Sequence, residues 1–307
     1  MNRRIFLKNS MATTPALIAS QYIWMNETNL INTKLGIKVL ATNWGFQGTI
    51  DEFCKKAKAE SYDGIELWWS SKAEDQKALF NALQKHDLEI GFLTTGNSSE
   101  FEEHQISFRK NVEAASDSLT QKPLYINCHS GRDFFTTEQN EKLISYTIDR
   151  SLQTGIEILH ETHRSRMCYS APLTRKYLEK FPEMGITLDI SHWTNVHESM
   201  LDDQKHNVDL ALQRTRHIHA RIGHKEGPQV NDPRAPEWDY TLNKHLSWWD
   251  QAISYREKTG AKHMTFLAEF GPPNYLQALP FTRQPVADQW AINVYMMQLL
   301  RKRYKTI

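Results

Sequence analysis

Cysteine is scarce in this sequence. Cys54, Cys128 and Cys168 are the only three in 307 residues. An odd, small number without metal-type spacing argues against a disulfide framework. Net charge is nearly absent too: 37 Lys and Arg stand against 36 Asp and Glu, leaving +1. No basic field is present to recruit nucleic acid or an anionic membrane. Glycine-rich phosphate loops of the P-loop or dinucleotide kind are missing, as are low-complexity segments and an interdomain linker. What is present is 40% hydrophobic content, enough for a core, and a generous supply of aromatics, with nine Trp and eleven Tyr. Core packing accounts for most rings of this kind, and the walls of a sugar pocket would account for some.

The first residues form a unit of their own. Asn2-Arg3-Arg4-Ile5-Phe6-Leu7-Lys8 has the form of a twin-arginine export signal. The mildly apolar stretch that follows, Met11 to Ile18, is interrupted by Pro15 and too short to span a bilayer. No Cys stands directly after the cleavage region around Ala19, so a lipid anchor is not expected. The expectation is delivery of a folded, metal-loaded protein to the periplasm, the alternative being a cytoplasmic protein with a basic start. Residues 1–30 are set aside as signal and tail.

From Lys34 onward, strand-like and helix-like segments alternate. Strand readings fall at Leu35–Thr42, Gly64–Trp69, Glu89–Thr95 and Pro123–His129, and then at four runs ending near Glu161, Asp189, His219 and Glu269. Helical spacing fills the gaps, at Thr49–Ser61, Ala73–His86, Phe101–Leu119, Gln139–Gln153, Ala171–Phe181, Val208–Arg216, Asn243–Thr259 and Pro285–Tyr304. Thr49 or Asp51 is expected to cap the first helix. Alternation of this kind predicts a parallel sheet with helical crossovers. Eight repeats predict one closed (β/α)8 barrel of the TIM type, a single domain over residues 34–304. One connection, Gly223 to Thr241, is long and rich in Pro and polar residues. It leaves the seventh strand on the face where barrels keep their chemistry.

Position on the strands singles out the chemical residues. Glu161, Asp189, His219 and Glu269 end four successive apolar runs. Polar groups at one end of several parallel strands converge in space. Three buried carboxylates pointing at one place would repel, and a divalent cation resolves that repulsion. The set is a mixed oxygen and nitrogen cage suited to Mn²⁺, Mg²⁺, Co²⁺ or Zn²⁺. His192, three residues after Asp189, is expected to complete the shell or to bind a substrate oxygen. His129 and His163 are candidate substrate contacts at the ends of strands four and five. Lys225 and Arg234, in the long loop, are candidates to hold a hydroxyl, carboxylate or phosphate. His217 is expected to support the site or the core, Glu66 to point inward, and Glu157 and His160 to serve as interior or helix-facing polar residues.

These motifs resemble the xylose-isomerase-like barrels of sugar isomerases and epimerases, relatives of ketose 3-epimerases, inosose dehydratases and AP endonucleases. Tyr62-Asp63-Gly64-Ile65-Glu66-Leu67, Gly155 through Glu161 with His163, Leu188-Asp189-x-x-His192, His217-x-His219 and Glu269-Phe270 carry the resemblance. It implies that Glu161, Asp189, His219 and Glu269 ligate the metal, and that Glu161 and Glu269 face opposite sides of the reacting carbon as acid and base. Proton abstraction next to a carbonyl, through an enediolate, needs such a base and a Lewis acid. The implied activity is a metal-dependent isomerase or epimerase. The alternatives are an inosose-type dehydratase or lyase on the same cage and an exported carbohydrate-binding protein without turnover. The sequence departs from the AP endonucleases: strand two ends in Trp68-Trp69 without His, and the loop after strand seven lacks Asp-x-His. A trinuclear site is therefore not expected. The expected partner is a small sugar or polyol, with no nucleic acid and no membrane anchor. A homo-oligomer is compatible with the sequence.

The signal reading is open to a direct test. Arg3→Lys with Arg4→Lys should trap the folded protein in the cytoplasm on cell fractionation; periplasmic protein from the double variant would remove the twin-arginine assignment.

Overall fold

Short strands rich in Val, Ile, Leu and Phe bury both faces only beneath a covering layer of helices, and each crossover helix makes the next strand parallel. The computed structural model, which describes residues 30–118 and 120–307, has this construction. The expected export signal lies outside the described residues. Eight parallel strands close a barrel in chain order: β2 (Gly36–Thr42), β3 (Gly64–Trp68), β4 (Glu89–Thr95), β5 (Tyr125–His129), β6 (Glu157–Glu161), β7 (Gly185–Leu188), β8 (Thr215–His219) and β9 (His263–Ala268). Strand β2 pairs with β9 over six residues and seals the circle.

The outer helices are α1 (Ile50–Ala59), α2 (Ala73–His86), α3 (Phe101–Ser116), α4 (Thr137–Thr154), α5 (Ala171–Lys180), α7 (Lys205–Arg214), α8 (Asp239–Lys258) and α9 (Gln289–Arg303). Of the two caps considered for α1, Thr49 is the one used. It forms a capping box with Glu52, and Thr136 forms the same box with Gln139 at α4. The (β/α)8 fold expected from the alternation is the fold observed.

Two features escape the periodicity. Helix α6 (Ile190–Val196) starts directly after Asp189, which caps it by accepting from the Ser191 amide. A second sheet lies outside the barrel, where β1 (Ile31–Thr33) runs parallel to β10 (Tyr304–Thr306). The closing helix therefore stops at Arg303, one residue before the predicted end. Tyr304 turns extended to stack on Phe266 and bond Asp250, which also holds Arg303. Three-residue strands carry no readable repeat.

Most of the core lies between barrel and helices. Inside the barrel, Leu40, Tyr125, Leu159 and Leu267 form a small separate plug. Tyr125 fits there because β4 offers Gly91: a β-carbon on Gly91 would stand 2.5 Å from the Tyr125 ring. That glycine is chosen for close approach.

Gly91→Ala should accordingly overpack the plug and lower stability by about 1–3 kcal/mol. An unchanged denaturant midpoint would show that Tyr125 has room to move.

Candidate active site

Side-chain alternation decides what enters the barrel. Tyr125, Asn127 and His129 share one face of β5, Leu159 and Glu161 one face of β6, and His217 and His219 one face of β8. Register sets their heights: Asn127 lies opposite Leu159, and His219 opposite Leu267. Residues between them face the helices. His160 is buried between Ser130 Oγ at 2.6 Å and Thr147 Oγ1 at 2.8 Å, with Thr147 on α4. Glu157, at the far end of β6, pairs with Arg256.

The four expected ligands come together. His219 Nδ1 lies 2.9 Å from Glu269 Oε2 and 3.8 Å from Glu161 Oε2. Asp189, His219 and Glu269 offer atoms within 4.8 Å of one another, as do Glu161, Asp189 and His192. His219 Nδ1 and Glu269 Oε2 are both buried and stand 2.9 Å apart without the alignment of a hydrogen bond. An imidazole nitrogen and carboxylate oxygens gathered this closely are donor types that a divalent cation takes, the imidazole giving up its proton on ligation. These buried groups can hold a metal ion.

The charges around His219 show the same strain. Burial pushes its imidazole toward neutrality, but Glu269, Glu161 and Glu66 raise its pKa well above the usual histidine range. Glu66 sits beneath it, Oε1 at 3.4 Å from His219 Nε2 and Oε2 at 3.4 Å from His217 Nε2. Burial disfavours the Glu66 carboxylate, yet these two histidines hold its pKa down at about 2. Tyr125 donates to it at 2.9 Å, while His217 anchors to Thr265 through Nδ1. Glu66 thus points inward as expected, and His217 supports the site.

Arg221 was not anticipated. It lies two residues beyond His219 and is fully buried. Its Nη2 donates to Asp189 Oδ2 and stands 2.7 Å from His192 Nε2, its Nε donates to Ser191 Oγ at 3.2 Å, and its Nη1 is 3.7 Å from Glu269 Oε2. Burial pushes the Asp189 carboxyl up to about 6 against the pull of Arg221. Asn127 is the other unanticipated residue, donating to Glu161 Oε2 at 2.7 Å. Period two held the signal for both: His217, His219 and Arg221 share one parity, as do Tyr125, Asn127 and His129.

His129, His163 and His192 form a row at the mouth. His129 Nε2 lies 3.0 Å from Glu161 Oε2, and the ring centroids follow at 4.6 Å and then 3.9 Å. Burial keeps both His163 and His192 well below the usual histidine range, helped by a histidine neighbour in each case. Trp68, half exposed, meets His129 edge-on, and Trp44 meets Tyr275, whose ring lies 4.8 Å from the Arg221 guanidinium.

Lys225 and Arg234 are not brought to this cluster. Lys225 is exposed on the turn bridging His224 and Gly227. Arg234 is committed to a two-bond pair with Asp232 at 2.8 and 2.6 Å. Their long loop serves another purpose. Gln229 clasps the backbone of Gly271 with both ends of its amide, while Asn293 does the same for Phe270. Together they fix the segment that presents Glu269.

Asp189→Ala should lower metal content on elemental analysis. It should also destabilise the fold by about 3 kcal/mol, because buried Arg221 loses the nearer of its two carboxylates and keeps only Glu269 at 3.7 Å. Adding Arg221→Met should recover much of the stability without recovering the metal. Full metal content in Asp189→Ala would remove that residue from the ligand set.

Neither a protein-family model nor a curated protein matches the sequence. Solved structures do. The fold is similar to that of 3-keto-D-glucoside 4-epimerase from E. coli (TM-score 0.60, 15% identity, 87% of this chain and 99% of that one). It is similar also to the probable 3-DHS dehydratase of petrobactin synthesis from Bacillus anthracis (0.55, 19%, 87% and 100%). A D-tagatose 3-epimerase-like protein gives 0.55 at 12% identity, over 87% and 96%. At such identities the likeness is one of fold, and these structural neighbours are sugar epimerase and dehydratase barrels. Among the described residues, no helix is long and apolar enough to cross a membrane.

Proposed function

We propose that the protein is a metal-dependent sugar isomerase or epimerase that moves a proton at a carbon next to a carbonyl. One observation carries the reading: the carboxylates of Glu161 and Glu269, from two different strand ends, both approach the buried Nδ1 of His219, at 3.8 and 2.9 Å. Glu161, Asp189, His219 and Glu269 would hold a divalent ion, which when bound supplies Lewis acidity toward a substrate carbonyl.

The chain's own groups do the rest. Asn127 and His129 both engage Oε2 of Glu161, which leaves Oε1 to take the proton from carbon. Burial alone would raise the Glu161 pKa, but His129 and His219 hold it well below the usual carboxylate range, so it stands ionised as a base must. In an isomerisation Glu161 returns that proton to the neighbouring carbon; in an epimerisation Glu161 keeps it, and Glu269, carrying a proton taken from solvent, donates on the opposite face. The row His129, His163 and His192 presents imidazole nitrogens to sugar hydroxyls. Trp68 and Trp44 offer flat apolar faces to the carbon side of a ring. Loss of water after the same proton abstraction gives the dehydratase reading, and one of the structural neighbours is a probable dehydratase.

Turnover in deuterated water is expected to place deuterium on the substrate carbon, read by NMR alongside a substrate labelled at that position to reveal internal return. Glu161→Gln should cut the rate by about 10²–10⁴-fold. Product that forms with no cleavage of that carbon–hydrogen bond in either experiment would sink the mechanism. A product lighter by one water selects the dehydratase.

A further inference from the structure

The loops after β5 and β6 carry arginines that the proton transfer does not use. Arg132 follows β5 and Arg166 follows β6. Arg132 Nε and Arg166 Nε and Nη1 are buried, and none has a hydrogen-bond partner. Among the described residues, neither guanidinium forms an ion pair within 4.0 Å; Asp133 acts on Arg166 only from farther off. A buried cationic donor without a partner is costly, and two side by side repel.

The backbone nevertheless holds both in place. Met167 N donates to Ser130 O at 3.0 Å and ties the two loops together. Phe135 N and the Asn140 amide hold the Arg132 carbonyl, while Arg166 is fixed by bonds to His163 O and from Tyr169 N. Gly131 makes the turn with φ +60°, and a side chain there would strike Asn140 Oδ1. Both loops follow strands whose ends carry site residues, His129 on β5 and Glu161 on β6, and Arg166 is near enough to Arg132, Glu161 and Tyr275 to interact with their charges. Arg164, on the same loop, stacks on Tyr275 at 5.2 Å.

We infer that Arg132 and Arg166 bind an anionic oxygen group of the sugar substrate, a carboxylate or a phosphate, in the crevice between the β5 and β6 loops beside Glu161. The inference rests on the sugar reading of the site and narrows it to sugar acids or sugar phosphates. Planar guanidinium forks match either group, and either would satisfy the three unpartnered donors at once.

The test is calorimetric titration with matched sets of hexoses, hexuronates and hexose 6-phosphates. Wild-type protein should bind at least one anionic set about tenfold or more tighter than its neutral counterpart, with the preference weakening as salt is added. Which anion wins separates carboxylate from phosphate. Arg166→Gln and Arg132→Gln should each reduce that preference by about tenfold to a hundredfold, and Arg166→Lys should restore part of it. Thermal melts check folding. If one variant fails to fold, the other carries the comparison; if both fail, inorganic phosphate must compete directly with the anionic sugar in wild type. Equal affinity for neutral and anionic sugars, an undiminished preference in the variants, or no competition by phosphate overturns the inference. Binding is read without turnover. The inference can therefore fail while deuterium exchange still supports proton transfer, and can stand if exchange fails.

Discussion

Four carboxylates, Glu66, Glu161, Asp189 and Glu269, are gathered at one end of the barrel, the first three fully buried. Like charges in a low-dielectric setting cannot all remain ionised without positive charge among them. Much of the local architecture answers that demand. Arg221 neutralises Asp189, His219 takes on charge between Glu66 and Glu269, and Asn127 and His129 turn polar hydrogens toward Glu161. The compensation is least complete at His219 Nδ1 and Glu269 Oε2, which are buried without a hydrogen bond. These groups could hold a metal ion, His219 giving up its proton to it.

The supports reach outward from this balance. Ser191 donates its amide to Asp189, the cap of α6, and accepts from the Arg221 Nε, so one short helix fixes a carboxylate and its counter-ion together. The loop after β8 spends its length on Gln229, which locks Gly271, and α9 contributes Asn293 to lock Phe270. Glu269, which ends a strand and is followed by irregular chain, is held from its C-terminal side by side chains distant in sequence. Rigid placement of a candidate acid or base requires such outer contacts.

The barrel was legible because each strand and helix announces its own period, and the clustering of Glu161, Asp189, His219 and Glu269 because strand ends are where a parallel barrel collects polar groups. Asn127 and Arg221 lay in plain view on the same parity as His129 and His219. Neither draws notice in a sequence, because Asn is chemically quiet and because Arg221 falls two residues past the last strand residue, where alternation is no longer assured. Lys225 and Arg234 illustrate the opposite problem. A cation in a long loop is easy to nominate, but which way it points depends on tertiary contacts, here Asp232 for Arg234. The arginines of the β5 and β6 loops gave no periodic signal. Only the packing exposes their unpartnered donors.

The pairing of β1 with β10 has a topological consequence. Ile31 lies beside Tyr304 and Thr33 beside Thr306, and the Ile307 amide bonds the Thr33 carbonyl. The first and last strands of the described residues are thus clasped together outside the barrel, so fraying either one strips the other of its backbone partners.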